Sequence, residues 1–308
     1  MSDFFEAGCA WIDGHYVPLS TACIPLGDAG FRRGDAVYDG VTTWRGNFFR
    51  LADHLNRFER NCFCLQLVPP IAFAEISIIL GECVRRSGLE YAYVEMICTR
   101  GTMSSALRDL RIAVNCFYAF AAPYDGIAAV DALESGISLI IAGQVERIST
   151  RGIDPTVKSF QWRDFTCAQF EALERDAHTA VLLDSAGHLT EGPGFNLFVY
   201  SRGTLLTPGE GILPGITRQT VLELAALEHI AARVTRFGAE TLYDADEVFL
   251  TSTAGGIVPV MSVDGRLIGD GTPGPMTRRL HARYWGAHRQ GAWVTPVHET
   301  VTGGRRNP

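Results

Sequence analysis

Apolar spacing along this chain switches repeatedly between the two-residue period of a strand and the 3.6-residue period of a helix, with no internal repeat. Residues 10–18 read as a hairpin, two β-prone runs around Asp13-Gly14. In residues 51–65, Leu51, Leu55, Phe58, Cys62 and Leu65 recur at helical spacing and leave Arg57 and Arg60 off the stripe. A second helix is expected over 72–87, ended by Gly88, with strands over 91–100 and 111–121. Further on, the pattern predicts a strand over 137–145, a helix over 164–175 and paired strands over 180–184 and 196–201. A helix over 217–232, a strand over 247–251 and a last helix over 278–288 complete an α+β fold. Turn residues in 123–131 interrupt two strand-rich regions. The expected division is therefore a small N-terminal domain over 1–122, a linker over 123–135 and a larger domain over 136–308.

With 308 residues, 47% of them apolar, there is ample material for a large core. The net charge of −7 argues against nucleic acid or an anionic membrane as partner, because both need a basic surface. No run of 18 apolar residues offers a membrane span, and the start lacks the pattern of a signal peptide, so a cytoplasmic enzyme is expected. The eight cysteines form no CxxC pair and read as free thiols, and the histidines show no ligand spacing. No metal is expected.

Of the 27 basic residues, 26 are arginine and one, Lys158, is lysine. Codon bias would put arginine wherever only a positive charge is needed. Arginine stays protonated and cannot act as an amine nucleophile, whereas a lysine with a lowered pKa can. A lone lysine can also be an accident, and its companions decide.

A lysine that holds a phosphorylated aldehyde cofactor needs a phosphate site, an acid partner for a pyridine nitrogen and a shaped pocket. Leu213-Pro-Gly-Ile-Thr-Arg opens a helix with free N–H groups and a hydroxyl, although the same residues would serve as an ordinary cap. Thr251-Ser-Thr-Ala-Gly-Gly follows a strand and can form an anion-holding turn or simply a turn. Arg57 can add a fixed charge or lie in solvent. Glu191, in Leu189-Thr-Glu-Gly-Pro-Gly-Phe-Asn, lies where the backbone can approach a flat ring, and its carboxylate would keep a pyridine nitrogen protonated. A surface hairpin glutamate is the plainer alternative.

Together these motifs resemble the class IV, or fold-type IV, pyridoxal-phosphate aminotransferases. The resemblance runs from about Trp11 to Val294 and covers His54-Leu-Asn-Arg57, Thr99-Arg-Gly, Lys158, the Glu191 turn, Gly215-Ile-Thr-Arg and Thr251-Ser-Thr-Ala. Asp154-Pro-Thr-Val-Lys-Ser-Phe-Gln-Trp-Arg-Asp and Thr253-Ala-Gly-Gly-Ile-Val-Pro look closest to the (R)-selective amine transaminases. The resemblance implies two domains with the active site between them, a homodimer, and a ping-pong exchange between an amine or amino acid and a keto acid such as pyruvate. It implies that Lys158 carries pyridoxal 5′-phosphate as a Schiff base and moves the substrate proton, and that Glu191 pairs with the ring nitrogen. It places Arg57, Ile216, Thr217 and Thr253 at the phosphate, and Tyr38, Gly40, Tyr93, Trp162 and Ala254 in the substrate pocket.

Phe31-Arg-Arg-Gly-Asp-Ala-Val-Tyr38 departs from the (R)-amine pattern and resembles the D-amino-acid and branched-chain enzymes. An inward Arg33 would bind a substrate carboxylate, while an outward Arg33, or one paired with Asp28 or Asp35, would not. Arg108 is a second candidate clamp. The leading expectation is transfer from (R)-amines or D-amino acids. The alternatives are an L-branched-chain aminotransferase, against which Gln161-Trp162 and Ala254-Gly-Gly count, and a 4-amino-4-deoxychorismate lyase.

Overall fold

The structure, a computed structural model, describes residues 7–102, 109–124, 133–134 and 136–302. The linker expected over 123–135 and the tail after residue 302 therefore fall largely outside the described residues, and Arg108 falls wholly outside them. The chain forms two compact units. The first comprises Met1–Asp125, Val157–Gln161 and Ala287–Pro308, and the second Gly126–Thr156 and Trp162–Gly286. The five residues around Lys158 thus group with the first unit, whereas the sequence assigned the lysine to the C-terminal portion.

The first unit is built on seven strands: β1 (Cys9–Ile12), β2 (His15–Pro18), β3 (Ala36–Trp44), β4 (Asn47–Phe49), β5 (Ala92–Thr99), β6 (Cys116–Pro123) and β16 (Val294–Pro296). They form one sheet in the order β16-β4-β3-β5-β6-β1-β2. The β1–β2 hairpin turns at Asp13 and Gly14, both at positive φ, as a two-residue hairpin turn requires. Short helix α1 (Ala29–Arg33) precedes β3, and helices α2 (Leu51–Cys64), α3 (Phe73–Ser87) and α8 (Val297–Thr302) complete the unit. The core gathers Val37 and Val41 of β3, Val94 and Met96 of β5, Phe58 of α2 and Ile76 and Leu80 of α3. These positions put the odd-numbered residues of β3 and the even-numbered residues of β5 on the helix side. The strand expected over 111–121 begins only at Cys116, because Leu110–Ile112 form a single 3-10 turn.

The second unit contains β7 (Ile137–Ile141), β8 (Thr179–Val181), β9 (Glu191–Gly192), β10 (Phe195–Ser201), β11 (Thr204–Pro208), β12 (Ala232–Thr235), β13 (Glu247–Ser252), β14 (Gly256–Val263) and β15 (Arg266–Leu267). Its sheet runs in the order β12-β11-β10-β13-β14-β7-β8, with β9 on β10 and β15 on β14. The two segments expected to pair with each other do not: β8 pairs with β7, and β10 pairs with β9, β11 and β13. The ladder still returns on itself, since Leu182 exchanges backbone bonds with Thr190 and Glu191, and β9 joins β10. Helices α4 (Arg163–Glu174), α5 (Ile216–Leu227), α6 (Ala239–Tyr243) and α7 (Pro275–Ala287) belong to this unit. The helix expected over 217–232 stops at Leu227, and Ala232 starts a strand parallel to β11.

Candidate active site

Lys158 occupies a short stretch that runs along the part of β3 left uncovered by β4. Of the residues of β3, β4 pairs only with Thr43 and Trp44. Farther back, Val37 bridges Ser159, and the Tyr38 N–H donates to the Lys158 carbonyl at 3.1 Å. Val157 anchors the stretch by burying its side chain in the core. The Lys158 amine lies 4.4 Å from the Tyr38 ring centroid, and that ring rests on Phe160 at 5.0 Å. A primary amine is thus held at the edge of a rigid strand, where its backbone is already bonded.

On the helix side of β3, Asp39 is wholly buried. Arg57 donates to both its oxygens, Nε at 2.7 Å and Nη2 at 2.8 Å, and His54 Nδ1 lies 2.8 Å away. Burial alone would raise the Asp39 pKa, but the charge and hydrogen bonds of Arg57 and the bond to His54 outweigh it and hold the carboxyl well below its ordinary range. Burial pushes the His54 pKa down, against the opposing pull of Asp39. A neutral His54 would therefore donate its Nδ1 proton to the carboxylate. Arg57 is a buried, bidentate guanidinium and not a solvated surface charge.

In the second unit Glu191 is buried at the start of β9. Its Oε1 accepts from Arg147 Nη2 at 3.0 Å, and its Oε2 accepts from the Leu213 N–H at 2.9 Å and Asn196 Nδ2 at 3.3 Å. Arg147 reaches Asp164 with its other arm at 2.5 Å and lies over the Phe165 ring. Asn196 also donates to the Leu213 carbonyl at 2.9 Å, which ties the glutamate turn to the segment that opens α5. At that opening Gly215 has no side chain to cap the helix, and a Cβ there would overlap the Asn196 oxygen. Ile216 and Thr217 begin α5 and are buried. Thr253 lies in the turn between β13 and β14, where the Gly255 N–H donates to Ser252 Oγ at 2.8 Å. Since Asn196 pairs with Thr251 in register, this turn and the Glu191 turn share one end of the sheet.

The remaining expected pocket residues are distributed unevenly. Gly40 and Tyr93 lie on the face of the first sheet that carries Tyr38. Trp162 caps α4 with its ring against Phe165, and Ala254 is exposed in its turn. Arg33 is exposed at the end of α1. Neither suggested acid partner takes it in an ion pair: Asp35 pairs with Arg100, and Asp28 caps α1 and accepts from Thr99 and Tyr118. Sequence reasoning assigned no role to Asp39, His54, Glu95, Arg147, Asp164 or Asn196. For Asp39 a signal existed, because an acid flanked by Val37 and Val41 on the core side of a strand must have a partner. For Arg147 none did.

A family model of class IV amino-transferases matches residues 36–263. The chain belongs to that family. This class IV aminotransferase is 30% identical over 287 residues to the branched-chain-amino-acid aminotransferase of Pseudomonas aeruginosa, covering 90% of this chain and 92% of that one. Its fold matches the crystal structure of the Escherichia coli branched-chain amino acid aminotransferase with a TM-score of 0.87 at 26% identity, over 94% of this chain and 99% of that one. The branched-chain amino acid aminotransferase of Thermobaculum terrenum, solved in its PLP-bound form, gives 0.83 at 25% identity, over 95% and 99%. Among these relatives nothing supports the expected preference for (R)-amines or D-amino acids.

Pyridoxal phosphate is the cofactor of the family, and the residues present fit it. An uncapped start of α5 suits a phosphate, a buried carboxylate held by Arg147 suits a ring nitrogen, and a lysine amine is present. Among the described residues no cluster suits a metal ion, and no helix is long and apolar enough to cross a membrane.

Proposed function

We propose that this aminotransferase exchanges amino groups between branched-chain L-amino acids and keto acids. The supporting observation is the likeness to branched-chain aminotransferases over nearly the whole chain, 94% of it for the Escherichia coli enzyme. Lys158 is the only lysine in the sequence and supplies the amine that holds the cofactor and moves the proton at the substrate carbon. The bound cofactor supplies an electron sink for the carbon whose proton is removed. Glu191 faces the ring nitrogen, and Arg147 and Asn196 orient its carboxylate. Ile216, through its backbone, with Thr217, Thr253 and Arg57, binds the phosphate. Tyr38 supports the lysine, and Gly40, Tyr93, Trp162 and Ala254 shape the pocket. The active form is a homodimer.

A second reading, (R)-amine or D-amino-acid donors, has in its favour the sequence around Lys158 and Trp162 and the run Thr253–Pro259. Single half-reactions separate the two. The purified holoprotein should be yellow, and Lys158→Ala should lack that absorbance. L-Leucine should bleach the wild type, and a keto acid should restore the colour. Bleaching by D-alanine or (R)-1-phenylethylamine with none by L-leucine would overturn the branched-chain reading. Turnover that needs no keto acid would point to the lyase.

A further inference from the structure

Two buried arginines in this chain use their donors differently. Arg57 gives both donors of one edge, Nε and Nη2, to the two oxygens of Asp39. Arg147 gives the same edge to Glu191 only in part. Its Nη2 donates to Glu191 Oε1 at 3.0 Å, while its Nε, though buried, has no hydrogen-bond partner among the described residues. The other arm, Nη1, donates to Asp164 Oδ2 at 2.5 Å. The side chains of Arg147, Glu191 and Asp164 are 8%, 5% and 2% exposed, so water screens their charges little.

A buried donor without an acceptor costs about 1–3 kcal/mol, and a second bond to Glu191 would remove that cost. Asp164 competes for the same guanidinium. It stands at the opening of α4, where its Oδ2 also accepts from the Ile148 N–H at 3.1 Å and its Oδ1 from the Phe165 N–H at 2.9 Å. The Phe165 ring centroid lies 4.3 Å from the guanidinium carbon, and the Arg147 N–H donates to the Leu183 carbonyl at 2.8 Å. The root and the plane of the arginine are thus fixed as well. A carboxylate closed in a bidentate pair with a guanidinium has its charge compensated, whereas one gripped by a single arm keeps charge to offer another cation. We infer that Asp164 is a positioning residue for the cofactor: by drawing Arg147 away from a full fork, it leaves the charge of Glu191 for a protonated ring nitrogen. It acts through Arg147.

The inference rests on the assignment of Glu191 to the ring nitrogen. It is tested with deazapyridoxal 5′-phosphate, which carries C–H where pyridoxal 5′-phosphate carries that nitrogen. The full-length protein is stripped of cofactor and titrated with each compound by calorimetry near neutral pH. Wild type should bind pyridoxal phosphate at least about tenfold, or ~1.4 kcal/mol, more tightly than the deaza form. Equal affinities would overturn the Glu191 assignment and this inference with it. In Asp164→Asn the fork can close on Glu191, and the preference should shrink at least about fivefold. A merely structural loss weakens both ligands together, so an unchanged preference overturns the inference and leaves Glu191 in place. Asp164→Asn combined with Arg147→Gln removes the guanidinium, keeps an amide donor beside Glu191 and should restore the wild-type preference. A double variant that stays low shows that Asp164 shapes the site and not its charge balance, which overturns the inference. Should the single variant fail to fold, the double variant decides alone, by keeping the preference or losing it.

Discussion

Asp39 shows how one buried side chain can organise others that are far away in sequence. It collects Arg57 and His54 from α2 onto β3, and both its oxygens are used. Removing one partner of a buried pair leaves the other charge uncompensated, so Asp39→Asn should lower unfolding free energy by about 3–5 kcal/mol at pH 7. The sign with pH follows from the depressed pKa of Asp39 in the folded chain. Stabilisation by the pair is complete above the unfolded value near ~3.9 and is lost as the pH falls from there toward the folded value. The gap between wild type and Asp39→Asn in urea unfolding should therefore narrow by about 1 kcal/mol between pH 7 and pH 3. A gap of constant size would show that the pair does not govern acid stability. Lys158 and Glu191 were singled out as candidates by the sequence because each stood out, one by its uniqueness and one by its glycine-rich turn. Asp39 and Asp164 were not, because their meaning depends on partners that only packing brings to them. Arg33 drew attention by its place in a motif and proved to be exposed.

Elements were legible where one face is buried and the other wet. Helices α2, α3 and α4 fall within a residue of where their apolar stripes put them. Strand β3 went unread because eight of its nine residues are buried, so it carries no alternation, and it includes Asp, Gly and Thr among them. The overlong reading of α5 has a different cause. Apolar residues recur at helical spacing past Leu227, at Ile230 and Ala231, but His229 adopts positive φ and turns the chain into β12. The start of α5 is the element on which the phosphate assignment depends. Gly215→Ala would push the Asn196 side chain aside, breaking its bonds to the Leu213 carbonyl and to Glu191. Overpacking of this kind costs about 1–3 kcal/mol of stability. Because the same contact fixes both the helix start and the carboxylate, cofactor affinity should fall at least about tenfold, ~1.4 kcal/mol, in a titration of the apoprotein followed by visible absorbance. Unchanged affinity would remove α5 from the phosphate site.

At the scale of the whole molecule, the chain returns to its first unit twice, at Val157–Gln161 and again from Ala287. A reading by composition sees one linker and cannot see that a five-residue stretch re-enters a sheet. Association with a second copy was likewise absent from composition and came only from family resemblance, yet the first unit offers a physical reason for it. Leu26 is 81% exposed and Phe31 65%, and Phe31 lines an apolar cavity of about 540 Å³ with Trp11, Ile24, Phe120 and Phe160. Exposed apolar side chains such as Phe31 and Ile24 around such a hollow are costly in water, and we propose this surface as the contact of the dimer. In a twofold dimer each such residue is buried twice, and each full burial contributes about 1.5–3 kcal/mol. Sedimentation equilibrium at micromolar concentration should therefore give about twice the chain mass of 33.7 kDa. Phe31→Asp places two like charges in that contact and should shift the protein toward monomer, the more so at low salt, where repulsion is least screened. A monomeric wild type would remove the dimer from the proposal. A Phe31→Asp protein that stays dimeric would leave the dimer standing and place its contact on another surface.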